Sequence, residues 1–278
     1  MITPRTELLI DLALEEDLGL GDLTSRAIFP ARHRSRAIIE AREALVVCGL
    51  AIATRVFARV DPLLRVAALV ADGDQVRAGT AVMRVEGPTA SLLAAERTAL
   101  NFLQRLSGIA SRAHAFSQQV EGTGVRVVDT RKTLPGWRAL EKEAVRLGGC
   151  ANHRSSLGEH VLIKDNHIAA AGSIARAVTA ARAAAPHLAR IEVEAGSLAE
   201  VRACLKAGAE VILLDNMTPE MVAAAVHLIA GRARVEVSGG ITLETIKAYA
   251  VPGVDVISVG GITHSARAVD LSLEVVGR

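Results

Sequence analysis

The feature that most constrains the fold is an alternation of short apolar runs with longer helical stretches in the second half of the chain. The apolar runs begin near Val125, Val161, Ile191, Val211, Val235 and Val254, and helical segments of ten or more residues separate most of them. Such alternation is typical of a parallel sheet whose strands are connected by helices. Repetition of this unit in one direction favours a (β/α) barrel, complete or incomplete, over an antiparallel sandwich.

The first half of the chain has a different pattern. Apolar residues at helical spacing predict an opening helix that ends near Gly19. Residues 35–86 contain short strand-like runs separated by turns, which indicates a small α/β domain. Residues 89–120 are rich in Ala and Leu and predict either one long helix or two helices with a break near Gly108.

Composition and charge exclude several classes of protein. The 278 residues are 50% hydrophobic and 22% charged, which excludes intrinsic disorder, and an aromatic share of 2% argues against modules that stack nucleic-acid bases. The net charge of +2 and the lack of a long apolar stretch argue against nucleic acid or a membrane as partner. Cys48, Cys150 and Cys204 are odd in number and widely spaced, so neither a disulfide framework nor a zinc site is expected and a cytoplasmic location fits best.

Polar residues follow nearly every apolar run of the second half. They are Asp129-Thr130-Arg131-Lys132, Lys164-Asp165-Asn166-His167, Glu192 with Glu194, Asp215-Asn216, Ser238-Gly239-Gly240 and Gly260-Gly261. The active site of such barrels lies at the C-terminal ends of the strands. We therefore expect these residues to converge on one mouth.

The chemistry of these residues suits a small polyanion. Glycine pairs after the last two strands allow backbone N–H groups to approach a phosphate. Arg131, Arg154 and Arg97 offer planar forks to carboxylates, whereas Lys132 and Lys164 are point charges. Two assignments have ordinary alternatives, because Arg97 fits a helix surface and His153 fits a structural histidine.

Glu194 and Asp215 end successive strands and predict a site for Mg²⁺, bound directly or through water. Salt bridges to the nearby lysines are the alternative. Carboxylates beside several cations fit a phosphorylated substrate with its own Mg²⁺ better than a zinc centre, which prefers His or Cys ligands.

Three motifs occur in order and at close spacing: Asp129-Thr-Arg-Lys-Thr-Leu-Pro-Gly136, Asn152-His153-Arg154 and Leu162-Ile-Lys164-Asp-Asn-His167. On the basis of these three motifs, the chain resembles the quinolinate phosphoribosyltransferase family. Further matches span nearly the whole chain and include Glu16-Asp-Leu-Gly-Leu-Gly-Asp22, Ala95-Glu-Arg-Thr-Ala-Leu-Asn-Phe, Leu214-Asp-Asn-Met, Val237-Ser-Gly-Gly-Ile and Ile257-Ser-Val-Gly.

The resemblance implies a fold and an assembly. An N-terminal α/β sandwich over residues 1–108 would precede an incomplete (open) α/β barrel of TIM-like type over residues 109–265, and residues 266–278 would form a C-terminal helix that returns to the N-terminal domain. The family forms a homodimer in which one subunit's N-terminal domain covers its partner's barrel mouth. Arg97 would then reach the partner's quinolinate across the interface.

The resemblance also implies an activity. The enzyme would transfer phosphoribosyl from phosphoribosyl pyrophosphate to quinolinate with decarboxylation, giving nicotinate mononucleotide, pyrophosphate and CO₂ in de novo NAD biosynthesis. The implied catalytic residues are Lys132, Lys164, Glu194 and Asp215, of which Glu194 and Asp215 would also hold ribose hydroxyls and Mg²⁺. The implied substrate-binding residues are Arg97, Thr130, Arg131, Lys132, His153, Arg154, Lys164, Glu194, Asp215, Ser238, Gly239, Gly240, Val259, Gly260 and Gly261.

Two departures and three alternatives accompany this prediction. Ser156 and Glu159 stand where the family more usually has Gly and Asp, which alters the loop after Arg154. A related phosphoribosyltransferase with another acceptor, similar to a paralogue associated with molybdenum transport, is one alternative. An aldolase with a Schiff base on Lys164 and a binding protein without turnover are the others.

Overall fold

The structure is a computed structural model that describes residues 2–277. The chain divides into two compact units. The first unit contains the residues up to His114, Leu134–Gly149 and the residues from Ala266 onward. The second unit contains Ala115–Thr133 and Cys150–Ser265.

Residues 2–277 contain eleven helices and twelve strands. The helices are α1 (Pro4–Leu18), α2 (Leu23–Ile28), α3 (Leu50–Val60), α4 (Thr89–Gln119), α5 (Arg138–Leu147), α6 (Asp165–Ala171), α7 (Ile174–Ala184), α8 (Leu198–Ala207), α9 (Pro219–Ile229), α10 (Ile246–Tyr249) and α11 (Gly261–His264). The strands are β1 (Arg34–Ala41), β2 (Leu45–Val46), β3 (Arg65–Ala68), β4 (Gln75–Val76), β5 (Ala81–Pro88), β6 (Arg126–Val128), β7 (Val161–Ile163), β8 (Ile191–Ala195), β9 (Val211–Asp215), β10 (Arg234–Ser238), β11 (Val256–Ser258) and β12 (Leu271–Gly277).

The first unit is built on an antiparallel sheet with strand order β12-β1-β5-β3. Alternate residues of β1, among them Ala37 and Ile39, are fully buried, as expected of a sheet with one face on the core. Helix α3 contributes Val56 and Phe57, which are also fully buried. The prediction of a small N-terminal α/β sandwich domain is confirmed.

Helix α4 is one continuous helix, so the alternative of two helices broken near Gly108 is excluded. Gly108 is needed for another reason. A Cβ at this position would lie 2.0 Å from the carbonyl oxygen of Arg267, so only glycine permits the chain to pass this close.

The prediction of a C-terminal helix is wrong, because residues 271–277 form strand β12, antiparallel to β1. Apolar side chains alternate in Leu271, Leu273 and Val275, which is the two-residue period of a strand. Leu271 and Leu273 are buried, and the side-chain amide of Gln104 donates to the carbonyl of Leu271 at 2.8 Å.

A second difference from the predicted boundaries concerns Leu134–Gly149, which groups with the first unit although it lies inside the predicted barrel segment. Glu141 on α5 is fully buried, and its Oε1 lies 2.7 Å from Nη2 of Arg105 on α4. A Cβ on Gly148 would lie 2.3 Å from the carbonyl oxygen of Ala110. The buried ion pair and the close backbone contact explain why this segment packs with α4.

The second unit contains a parallel sheet with strand order β6-β11-β10-β9-β8-β7. Its central strands are short and bury their aliphatic side chains, as expected of a sheet covered on both faces. Between residues 2 and 277, no ladder joins β6 to β7, and an isolated bridge links Val128 to Ala151 instead. The sheet is therefore an open α/β barrel, as predicted.

Parallel pairing places the C-terminal ends of these strands along one edge. The register aligns Ser238 with Asp215 and Ile257 with Val237.

In the part of the chain that the structure describes, no helix is both long and apolar enough to cross a membrane.

Candidate active site

A cavity of about 570 Å³ lies at the C-terminal ends of the second unit's strands. Its lining consists of Thr130, Arg131, Lys132, His153, Arg154, Leu162, Lys164, Asp165, Glu194, Leu213, Asp215, Asn216, Glu236, Ser238, Gly239, Gly240 and Ser258. The structure thus brings together eleven of the fifteen residues predicted from the sequence.

Among the described residues, four predicted site residues lie outside this lining: Arg97, Val259, Gly260 and Gly261. Arg97 is exposed on α4, and Val259 is only 2% exposed. Gly260 packs against the side chain of Lys132, because a Cβ on Gly260 would lie 2.9 Å from Lys132 Cδ. Gly260 therefore makes room for the lysine stem.

Asp129 organises the segment that carries His153. Its side chain is fully buried at the end of β6. Oδ1 accepts the backbone N–H of His153 at 2.8 Å, and Oδ2 accepts the side-chain amide of Asn152 at 2.8 Å. The first motif thereby holds the second one in place.

Both ring nitrogens of His153 face protein groups. The backbone N–H of Arg154 lies 2.8 Å from Nδ1, and Nε2 lies 3.4 Å from Glu236 Oε1 and 3.6 Å from Glu192 Oε2. Burial disfavours protonation, but the hydrogen bonds and charges of the two carboxylates outweigh it and raise the pKa of His153 to about 9.

Burial raises the pKa of Glu192, and the hydrogen bond with His153 opposes that rise. A proton on Nε2 would lie between the ring and the carboxylates. Sequence reasoning missed Glu236, although a glutamate inside the apolar run Val235-Glu-Val is an unusual core residue.

Two guanidinium groups make one side of the cavity cationic. Arg154 is 7% exposed, and its Nη1 donates to the carbonyl of His160 at 3.0 Å. Burial and the charge of Arg131 both lower the pKa of Arg154. Two like charges held together in a partly buried place favour binding of an anion between them.

Carboxylates lie on another side of the cavity, at the ends of β8 and β9. Lys164 Nζ pairs with Glu194 Oε1, and the backbone N–H of Asp165 donates to Glu194 Oε2 at 3.2 Å. Burial and the negative charge of Glu194 raise the pKa of Asp215. A cation or hydroxyl donors between these two carboxylates would relieve that repulsion.

Asn216 and Gly239 connect two neighbouring strand ends. The side-chain amide of Asn216 donates to Asp215 Oδ2 at 2.7 Å, and its backbone N–H donates to the carbonyl of Ser238 at 2.9 Å. A Cβ on Gly239, which has φ +100°, would lie 2.2 Å from Asn216 Oδ1. The Gly239 position therefore requires glycine both for its backbone angle and for space.

Family models match almost the whole chain. Residues 22–107 match the N-terminal domain of quinolinate phosphoribosyl transferase, and residues 109–274 match its C-terminal domain. The chain belongs to the quinolinate phosphoribosyltransferase family.

Relatives of similar length support this membership. The probable nicotinate-nucleotide pyrophosphorylase (carboxylating) of Bacillus subtilis (strain 168) is 42% identical over 260 residues, which cover 94% of this chain and 90% of the relative. The nicotinate-nucleotide pyrophosphorylase (carboxylating) of Mycobacterium leprae (strain TN) is 43% identical, with 95% and 94% covered. The crystal structure of NadC from Streptococcus pyogenes superposes with a TM-score of 0.95 at 40% identity and covers 100% of this chain and 99% of its own.

Proposed function

We propose that this protein is a quinolinate phosphoribosyltransferase that decarboxylates its product in de novo NAD biosynthesis. The observation that carries the proposal is the division of charge within one cavity. Arg131 and Arg154 offer cationic forks, whereas Glu194 and Asp215 offer oxygen acceptors. Quinolinate has two carboxylates for the first set, and phosphoribosyl pyrophosphate has ribose hydroxyls for the second.

The sugar phosphate would lie along the ends of β9 and β10. Gly239 and Gly240 both have positive φ, and their backbone leaves room for the 5-phosphate next to Ser238. Lys132, exposed at the same mouth, would bind the pyrophosphate. Asp215 and Glu194 would accept the ribose hydroxyls.

Glycosyl transfer needs the charge distribution that these residues supply. The pyridine nitrogen of quinolinate attacks ribose C1 and the C1–O bond to pyrophosphate breaks. Positive charge then grows on the ribose, near Glu194 and Asp215, while Lys132 stabilises the departing pyrophosphate. Because the nucleophile belongs to the substrate, the protein's task is to align the two reactants.

Decarboxylation follows from the same geometry. The quaternised nitrogen stabilises the carbanion that forms when the 2-carboxylate leaves as CO₂, and a proton then replaces the carboxylate. Arg131, Arg154, His153 and Lys164 would hold the pyridine ring and its carboxylates during this step. The neighbouring carboxylates of Glu192 and Glu236 keep a cationic group at His153 close to the pocket.

Mg²⁺ is the metal that these side chains fit, since oxygen ligands predominate and no cysteine lines the described cavity. Glu194 and Asp215 would hold it, and because Lys164 already pairs with Glu194, contact through water is favoured on that side. When bound, Mg²⁺ would neutralise charge on the pyrophosphate.

We further propose a cytoplasmic homodimer in which Arg97 of one subunit completes the quinolinate pocket of the other. The support is the exposed position of Arg97 on α4 together with its Glu-Arg-Thr motif. Three buried, free cysteines, Cys48, Cys150 and Cys204, support a reducing compartment.

The test is formation of nicotinate mononucleotide from quinolinate, phosphoribosyl pyrophosphate and Mg²⁺, with CO₂ release followed and nicotinic acid as control acceptor. Product and CO₂ from quinolinate alone support the proposal. Product from another acceptor only, by a folded protein, would contradict it and favour the related transferase. Borohydride trapping tests the aldolase alternative, against which the pairing of Lys164 with Glu194 argues, because a charged amine is a poor Schiff-base former.

A further inference from the structure

Asn216 has a backbone conformation that few side chains adopt. Its φ is +55°, and Ala230 is the other non-glycine residue with positive φ between residues 2 and 277. Asparagine tolerates this left-handed region better than most residues, but the conformation still needs compensating contacts. Ala230 has an evident reason, because it ends helix α9. Asn216 follows strand β9, where no helix has to be terminated.

The hydrogen bonds that the structure shows for Asn216 run to proposed donor-binding residues. Its Nδ2 donates to Asp215 Oδ2 at 2.7 Å, and its backbone N–H donates to the carbonyl of Ser238 at 2.9 Å. Its Oδ1 occupies the space in which a side chain of Gly239 would otherwise lie, since a Cβ there would be 2.2 Å away. One residue thus fixes a carboxylate on β9 and the glycine loop after β10.

We propose that Asn216 is a positioning residue for the phosphoribosyl donor. It sets the distance between the Asp215 carboxylate, which would hold ribose, and the Gly239 loop, which would hold the 5-phosphate. The inference rests on the proposed function and deepens it. A shift of Asp215 or of Gly239 would disturb the contacts of both with Asn216.

The same geometry predicts that Asn216 serves one substrate only. Two of the groups proposed for quinolinate are fixed without Asn216, since Asp129 holds His153 and the carbonyl of His160 holds Arg154. Loss of the Asn216 amide should therefore weaken binding of phosphoribosyl pyrophosphate and leave binding of quinolinate unchanged.

The experiment compares Asn216→Gly and Asn216→Asp with a matched control, Ala230→Gly. Asn216→Gly keeps the left-handed backbone accessible and removes the side chain with its amide. Asn216→Asp keeps the shape but places a second carboxylate where the donor to Asp215 stood. Ala230→Gly relaxes a left-handed residue of the same unit that ends α9 and precedes the N-terminal end of β10, whereas the cavity lies at the C-terminal ends of the strands.

We expect KM for phosphoribosyl pyrophosphate and the Mg²⁺ concentration needed for half-maximal rate to rise at least about tenfold in Asn216→Gly, and further in Asn216→Asp. The calorimetric Kd of quinolinate should stay within about twofold of wild type, which also shows that the variants are folded. Ala230→Gly should match wild type in all these measurements.

Two outcomes overturn the inference: unchanged donor KM in both Asn216 variants, or a rise for quinolinate equal to that for the donor. Direct titration with phosphoribosyl pyrophosphate separates this failure from failure of the proposed function. If the wild-type protein binds the donor without turnover, the proposed function is wrong. The Kd of Asn216→Gly for the donor then still tests the positioning role. A wild-type protein that does not bind the donor refutes both.

Discussion

Arg154→Ala most directly tests the cationic side of the cavity, which would bind the carboxylates of quinolinate. Arg154 is 7% exposed, so its guanidinium is largely removed from competing water, and Arg131 adds a second positive charge nearby. A charge-assisted hydrogen bond in such a place contributes about 1.5–3 kcal/mol. Because about 1.4 kcal/mol corresponds to a factor of ten, KM for quinolinate should rise about 10- to 150-fold. KM for phosphoribosyl pyrophosphate should change little.

The assay is steady-state nicotinate mononucleotide formation with each substrate varied in turn, supported by calorimetric binding of quinolinate. Arg146→Ala is the matched control, because Arg146 pairs with Glu143 at the surface and its side chain is 61% exposed. A folded Arg154→Ala protein whose quinolinate KM stays within twofold of wild type would refute the assignment. A loss of thermal stability without a change in KM would show that Arg154 acts only through its bond to the carbonyl of His160.

Three further predictions concern the donor side, the dimer and the ion pair between Glu43 and Arg267. Gly239→Ala should reduce kcat/KM for the donor at least about tenfold, since its Cβ would lie 2.2 Å from Asn216 Oδ1, whereas Gly231→Ala, with φ +72° but no atom within 4 Å, should leave it unchanged. Mixed dimers of Arg97→Ala and Lys164→Ala subunits should regain activity above either parent, and recovery no greater than background would contradict a role for Arg97 across the interface. Glu43 has a pKa lowered to about 2, mainly by its hydrogen bond to Arg267, so its contribution to folding is present above pH 4.5 and is lost as the pH falls toward 2. The stability difference between wild type and Glu43→Gln, measured by urea unfolding, should be about 1 kcal/mol at pH 7 and vanish near pH 2, and a difference independent of pH would contradict the ion pair.

Much of the second unit could be predicted because its signal is local. Each buried strand is a run of aliphatic residues, and the polar residue that follows it marks the strand's C-terminal end. Parallel pairing then forces ends such as Asp215 and Ser238 to the same edge. For this reason most residues of the cavity lining can be predicted from the sequence.

Prediction from the sequence fails at the C-terminus, where the fold depends on a contact between distant parts of the chain. The period-two pattern of residues 271–277 was available, but its partner β1 lies more than two hundred residues earlier in the sequence, so the strand pairing carried no local signal. The motif predicts that Val259 and Gly260 bind substrate, and this stays a prediction. The packing of Lys132 on Gly260, which gives that glycine a further role, depends on the fold.

Two buried glutamates of the barrel connect the stability of the fold to the site through His153. Glu192 and Glu236 are buried on strands β8 and β10 of the barrel, and burying two carboxylates costs several kcal/mol unless positive charge compensates it. The compensation comes from His153, which Asp129 holds in place through its backbone. His153 and the two buried carboxylates therefore stabilise each other, and a substitution that removes only one partner should damage both folding and binding.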